Sequence, residues 1–156
     1  MIRVQKEDFD PGAELTALTA GRQGIGGVVS FVGLVRDMAD SVPITAMTLE
    51  HYPKMTAVKL AEIEEEAQRR WPLEASLIVH RYGRLEPGER IVLVIAASAH
   101  RQAAFEACAF LVDWLKTKAP FWKLEETPGG ANWVDARTAD DEASQRWQSN
   151  HSDAAE

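Results

Sequence analysis

The chain has 156 residues, 46% of them apolar and 26% charged, which are ordinary proportions for a single globular domain with a sizeable core. A net charge of −7 argues against general nucleic-acid binding, because such proteins usually present a basic face. No run approaches the ~18 apolar residues that a membrane span needs. The N-terminal segment also lacks the apolar region of a signal peptide, so a cytoplasmic location is expected.

The first part of the chain is predicted to contain a strand at 2–5, a helix at 11–20 and a second strand, GVVSFVGLVR. The glycines before this strand superficially match a dinucleotide-binding loop. We reject that interpretation because the glycines precede a strand instead of following one and opening a helix. Gly33 indicates a bulge or a close backbone approach. Arg36 follows the strand, where an arginine is usually just exposed but can also contact an anion.

The middle of the chain is predicted to contain one helix and three strands. Residues 44–52 alternate in polarity as a strand does, and MTAVKLAEIEEEAQRRW has helical periodicity with an acidic, solvated face. Two further strands, 75–82 and 90–97, flank a Pro-Gly turn. His80 and Arg81 lie in the first of these, and we expect a structural pair with one side chain facing the sheet and the other facing solvent.

The stretch from Ser98 to Glu125 concentrates candidate functional side chains. Its apolar residues recur at steps of three, four and seven, which predicts a helix capped by Ser98 and stopped by Pro120. His100 and Arg101 would then lie in the first turn, where the helix dipole disfavours a cation by about 0.3–1 kcal/mol. They either point to solvent or bind an anion together with the free backbone N–H groups.

The remaining features of this stretch have simpler interpretations. Lys116 lies in the last helical turn, where a cation suits the dipole and needs no function. Cys108 lies on the apolar stripe and is expected to be a core residue; as the only cysteine, it allows no intrachain disulfide and no cysteine-based metal site. FWKLEE, which contains Lys123, is predicted to be extended, and a Pro-Gly-Gly turn leads to a last strand, NWVDA.

The order of elements predicts an α+β fold with a largely antiparallel or mixed sheet. We expect one domain over residues 1–137, followed by a polar, acidic tail over residues 138–156. A helical turn around Trp147 is expected in the first part of the tail and flexibility at its end.

Five blocks of the sequence are specific: GGVVSFVGLVRD, LEHYPKMTAVKLAEIEEEAQRRWP, HRYGRLEPGE, SAHRQAAFEACAFLVDWLKTKAPFWKLE and NWVDAR. In this order and spacing they resemble the large, catalytic subunit of molybdopterin synthase, the MoaE family, over residues 26–137. The resemblance implies an α/β hammerhead-type domain with a small extra β subdomain. It also implies a homodimer that becomes a heterotetramer when each end binds the C-terminal Gly-Gly tail of a small ubiquitin-like, MoaD-like sulfur carrier.

The activity that the resemblance implies is sulfur transfer in molybdenum cofactor biosynthesis. The carrier's C-terminal thiocarboxylate would deliver two sulfurs to cyclic pyranopterin monophosphate (precursor Z), forming the dithiolene of molybdopterin. Because the carrier brings the sulfur, the reaction requires no side-chain nucleophile, no metal and no other cofactor.

The resemblance also implies which residues form the site. The matching positions are Arg36 in GLVR, His100 and Arg101 in SAHR, Lys116 in LKTK and Lys123 in FWK, with Leu34, Val35, Leu124 and Glu125 as expected pocket neighbours. Leu34 replaces the lysine or threonine often found there, which leaves it only a backbone contact.

The residue types suit this chemistry. The arginines and the histidine would bind the substrate's phosphate by charge-assisted hydrogen bonds, some of them supplied across the dimer interface. Lys116 would assist attack and release at the carrier's C-terminus, and Lys123 would act as acid, base or oxyanion stabiliser on the pterin.

Two other functions stay open at this point. A non-catalytic dimeric binding module could accept an extended tail at the FWKLEE edge by strand addition. A phosphate-ester enzyme could use the same cations with water as the nucleophile. The synthase is favoured because GLVR, SAHR and the lysine pair occur together in one ordered pattern.

Overall fold

The computed structural model describes residues 1–134 and 138–149. In chain order the elements are β1 (Ile2–Gln5), α1 (Pro11–Thr19), β2 (Gly27–Leu34), β3 (Met38–Ala39), β4 (Val42–Pro43), β5 (Ala46–His51), α2 (Pro53–Arg70), β6 (Leu73–Arg81), β7 (Gly83–Leu85), β8 (Arg90–Ser98), α3 (Arg101–Thr117), β9 (Phe121–Thr127), β10 (Gly130–Trp133) and α4 (Thr138–Ser149). In this part of the chain, no helix has the length and apolar character needed to cross a membrane.

A four-stranded sheet in the order β1-β6-β8-β2 forms the centre of the core. Strand β1 runs parallel to β6, and the other neighbours are antiparallel. Ile78 and Val94 pack with α2 and α3 on one face, whereas Leu77 and Leu93 pack with α1 on the other. Burial on both faces explains why β6 and β8 are almost continuously apolar.

A second four-stranded sheet, β10-β9-β5-β7, is antiparallel throughout, and β3 pairs with β4 in a separate ribbon. Val35, Leu49 and Leu85 form a small core beside it. The predicted α+β class, with mixed and antiparallel sheets, is therefore confirmed. Strands β3, β4 and β7 lie outside the predicted elements, because two or three residues are too few to show a period.

Close packing explains two of the glycines. A Cβ on Gly26 would lie 2.1 Å from the carbonyl oxygen of Ala99, so only glycine fits against the corner between β8 and α3. A Cβ on Gly33 would lie 2.8 Å from Val92, and the pairing of β2 with β8 shifts register between Gly33 and Leu34. The predicted bulge is confirmed, and the glycine-rich segment serves packing.

The prediction that Ser98 caps α3 is wrong. Ser98 ends strand β8, where it pairs with β2, and its hydroxyl donates to the carbonyl oxygen of Pro72 at 2.8 Å. His100 occupies the N-cap position without a side-chain capping hydrogen bond, and Arg101 is the first helical residue. The helix therefore begins two residues later than the sequence indicates, because strand pairing extends to Ser98.

The polar C-terminal segment adds helix α4 to the core. Trp147 is buried against Phe110, and its indole N–H donates to Asp113 of α3 at 2.7 Å. The predicted turn around Trp147 is thus part of a twelve-residue helix. The expected boundary after residue 137 and the expected flexible end fall largely on residues 135–137 and 150–156, outside the described part, and stay predictions.

Candidate functional site

A cavity of about 570 Å³ lies between the two four-stranded sheets at the C-terminal end of α3. Much of its wall is apolar, including Phe31, Val92, Val94, Leu115 and Phe121. Its charged lining residues are Arg36, Lys116, Lys123, Glu125 and Asp140. The volume lies within the ~300–1,000 Å³ typical of small-molecule sites.

Arg36 reaches the cavity from the loop after β2. The backbone of Val35 is held in place, its N–H donating to the carbonyl of Glu89 at 2.9 Å and its carbonyl accepting from Gly88 at 2.8 Å. The Val35 side chain is buried in the small core of the second sheet. Leu34 and Arg36, on either side of it, are exposed and line the cavity.

Lys116 lies in the last turn of α3, and its side chain is 47% exposed. Its Nζ is 3.8 Å from Oδ1 of Asp140 on α4. A half-exposed pair at this distance contributes little to stability. The lysine amine therefore remains able to contact an anion in the cavity.

Strand β9 supplies the opposite wall of the cavity. Phe121, Lys123 and Glu125 alternate along the strand, so their side chains share one face, and all three line the cavity. Leu124 points to the other face of the sheet and lies opposite Thr48 of β5. Of the four expected pocket neighbours, Leu34 and Glu125 line the cavity, whereas Val35 and Leu124 do not.

His100 and Arg101 lie at the other end of α3, where both are exposed and neither lines the cavity. The numbering places Arg101 fifteen residues before Lys116, which is about 22 Å along a helix axis. One copy of the chain therefore brings Arg36, Lys116 and Lys123 together but not the His-Arg pair. A site that contains all five side chains needs a second copy.

Comparison with known proteins identifies the family of this chain. The family described as MoaE protein matches residues 4–118. The chain belongs to the MoaE family. It is 58% identical over 147 residues to a molybdopterin synthase catalytic subunit from Pseudomonas aeruginosa, covering 94% of this chain and 98% of the relative.

Solved structures of MoaE-family proteins have the same fold. A molybdopterin biosynthesis MoaE protein from Burkholderia ambifaria is 51% identical, with a TM-score of 0.81 over 95% of this chain and 97% of that one. A molybdopterin synthase from Staphylococcus aureus is 29% identical, with a TM-score of 0.79 over 85% of this chain and 96% of that one.

Two titratable residues in the described lining of this cavity, His80 and Asp140, were not among the expected site residues. The expectation that His80 or Arg81 faces solvent is wrong, because both are buried. Arg81 donates to backbone carbonyls of Lys6 and Arg90, at 2.9 and 3.0 Å. His80 shares a strand face with Ile78, two residues earlier, and this alternation is the signal that places it inward.

His80 is neutral near pH 7. Its pKa is lowered to about 4, mainly by burial; a hydrogen bond to the backbone of Arg81 opposes the shift, and the charges of Lys123 and His51 add to it. The cavity thus has three cationic and two carboxylate side chains among its described lining residues, beside an uncharged imidazole. The cationic excess contrasts with the net charge of −7 over the whole chain.

Cys108 is buried, as predicted for a core residue. Its Sγ faces the carbonyl of Val94 at 4.0 Å, and burial raises the pKa of the thiol to about 11. The nucleophilic thiolate is therefore disfavoured. Within residues 1–134 and 138–149, no group of three or more His, Cys, Asp or Glu side chains is arranged to hold a metal ion.

Proposed function

We propose that this chain is the catalytic subunit of a molybdopterin synthase. It transfers two sulfurs from the C-terminal thiocarboxylate of a small ubiquitin-like carrier to cyclic pyranopterin monophosphate, forming molybdopterin. The observation that carries the proposal is the meeting of Arg36, Lys116 and Lys123 around one cavity in a chain of the MoaE family.

The cavity suits a substrate that is both heterocyclic and anionic. Phe31 supplies an aromatic surface for a ring system, and Val92 and Leu115 add apolar wall. The guanidinium of Arg36 can make two parallel hydrogen bonds to phosphate oxygens, and the lysine ammonium groups add point charges. Three cations against two carboxylates in the described lining give the cavity a positive excess in an acidic protein, which favours an anion there over other sites on its surface.

The two lysines divide the chemistry between them. Lys116, half-exposed in the last turn of α3, assists sulfur attack and release of the carrier's carboxyl group. Lys123, half-buried on β9, donates or accepts protons at the pterin and stabilises developing negative charge. Cys108 takes no part, since the carrier supplies the sulfur.

The proposal requires at least two kinds of partner. The curated relative's name, catalytic subunit, supports a second subunit, and we assign this role to the MoaD-like carrier. Since one chain separates Arg101 from the lysines, we also propose a homodimer in which His100 and Arg101 serve the partner's cavity, giving a heterotetramer with two carriers. The cytoplasmic location stays a prediction.

The test is reconstitution from purified parts. The chain is mixed with cyclic pyranopterin monophosphate and either thiocarboxylated carrier or the same carrier with an ordinary carboxylate, and dithiolene formation is measured. Product is expected only with the thiocarboxylate. Turnover of the substrate without any carrier would instead indicate a phosphate-ester enzyme, and a stable complex without product would indicate a binding module.

A further inference from the structure

The lining of the cavity contains an imidazole, that of His80, to which the proposed roles give no task. His80 of β6 stacks on Phe121 of β9, with ring centroids 3.7 Å apart and an angle of 12° between the rings. The two strands belong to different sheets. This stack is therefore a joint between the sheets, and both rings line the cavity.

The hydrogen bonding of His80 determines its tautomer. Its Nδ1 lies 2.8 Å from the carbonyl oxygen of Arg81, and a carbonyl oxygen can only accept. Nδ1 must carry the proton, so in the neutral ring Nε2 is the nitrogen with the free lone pair. Burial keeps the ring neutral by lowering its pKa to about 4.

Lys123 lines the same cavity as this ring. It lies two residues after Phe121, on the same face of β9, and its charge acts on His80. We propose that His80 is a positioning residue for Lys123: its ring holds the Phe121 end of the strand, and its unprotonated Nε2 offers the lysine ammonium a hydrogen-bond acceptor. The inference rests on the proposed function, in which Lys123 acts on the pterin.

A neutral acceptor suits this task better than a second carboxylate. Lys123 must present its positive charge to an anionic substrate, and Glu125 already shares its face of β9, so a further carboxylate at position 80 would offset that charge more strongly. An imidazole orients the amine and leaves the charge in place. Since the ring is fixed by a backbone hydrogen bond and an aromatic stack, little reorganisation is needed when the substrate binds.

Two substitutions separate positioning from simple filling of space. His80→Leu keeps an apolar side chain in the joint and removes the acceptor, whereas His80→Gln puts an amide oxygen near the place of Nε2. We expect His80→Leu to lower kcat by about 10- to 100-fold, as misplacement of a catalytic group does, with KM within about threefold of wild type. His80→Gln should recover kcat to within about fivefold of wild type.

His51 provides the matched control. It stacks on the same Phe121 ring, at 5.7 Å, but lies outside the lining of the cavity. His51→Phe keeps a ring there and should retain wild-type kcat. A wild-type kcat in His80→Leu, or equal impairment in His80→Leu and His80→Gln, would overturn the proposal.

A second measurement does not depend on turnover. The protein is treated briefly with an acid anhydride, and the labelling of Lys123 relative to Lys116 is read by mass spectrometry. His80→Leu is expected to change this ratio by about fivefold or more, and His80→Gln to leave it near the wild-type value. An unchanged ratio in His80→Leu contradicts the positioning role. A wild-type protein that forms no dithiolene contradicts the proposed function instead, and the labelling ratio still decides the role of His80.

Discussion

The two ends of helix α3 present the same kinds of side chain in opposite surroundings. At its C-terminal end, Lys116 faces a cavity, across from Lys123 of β9. At its N-terminal end, His100 and Arg101 are exposed and outside that cavity. Lys116 and Lys123 therefore lie in a cavity formed by one chain, whereas His100 and Arg101 have only the N-terminal end of the helix beside them.

The helix dipole sharpens this contrast. Lys116 is at the end where the dipole stabilises a cation, so its position costs nothing and, by itself, indicates no function. Arg101 is at the end where the dipole disfavours a cation. An anion bound to Arg101 and to the free backbone N–H groups would compensate that cost. The comparison therefore predicts a reaction at one end and an anion contact, completed by a second copy, at the other.

Removing the lysines is expected to have the largest effect. Lys116→Ala and Lys123→Ala should each lower kcat for dithiolene formation by about 10²- to 10³-fold, because each loses a proton-transfer or charge-stabilising group. The matched control is Lys118→Ala, which removes an exposed cation at the α3 C-cap, outside the cavity lining. If all three variants keep wild-type turnover, the cavity lined by Lys116 and Lys123 is not the reaction site.

The titration of the buried His80 imidazole, which lines the same cavity as Lys116 and Lys123, should be visible in the pH dependence of stability. The pKa of His80 is about 4 in the folded chain, against 6.5 without burial, so the unfolded chain binds more protons between these values. Stability is complete above the unfolded pKa and falls as pH drops towards 4, by about 3 kcal/mol from this group.

Urea unfolding of wild type and His80→Gln near pH 7 and near pH 4.5 measures this contribution. The wild-type free energy of unfolding should fall more steeply than that of the variant. Parallel losses in the two proteins would show that His80 does not titrate in this window.

At the N-terminal end of α3, Arg101→Ala should weaken binding of the cyclic phosphate substrate by about 10- to 100-fold, the cost of losing a hydrogen bond to a charged group. Measuring the Kd of the substrate for wild type and variant checks this.

Mixing Arg101→Ala with Lys123→Ala then shows whether Arg101 completes the cavity of its own chain or the cavity of the partner. If Arg101 completes the partner's cavity, random pairing restores one intact site in each mixed dimer, about a quarter of wild-type activity. Activity that stays at the level of the separate variants would place Arg101 in its own chain's site.

The sequence predicts well the parts of this molecule whose signals are local. The apolar period from Ala104 to Leu115 predicts α3, and Gly33 predicts the bulge before Arg36. The capping of α3 was predicted wrongly because Ser98 is a good cap in isolation, whereas strand pairing and the carbonyl of Pro72 use it otherwise.

The parts that could not be predicted depend on distant contacts. Alternation in β6 turns His80 inward but does not show that Phe121, forty-one positions later in another sheet, stacks on it. The polar composition of α4 likewise hides its burial of Trp147 and the placement of Asp140 at the cavity. The separation of Arg101 from Lys116 follows from helix length, because both lie on α3.

The smallest effect is expected from the carboxylate that faces Lys116. Asp140→Asn should change the free energy of unfolding by less than about 1 kcal/mol, because the pair is 3.8 Å apart and half-exposed. The same change removes a negative charge from the cavity, so KM for the anionic substrate should fall by about two- to fivefold while kcat stays near wild type. Asp141→Asn, at an exposed position outside the cavity lining, controls for the change in net charge. A loss of kcat in Asp140→Asn as large as in the lysine variants would mean that this carboxylate takes part in the reaction together with Lys116, instead of only lowering the affinity for the anion.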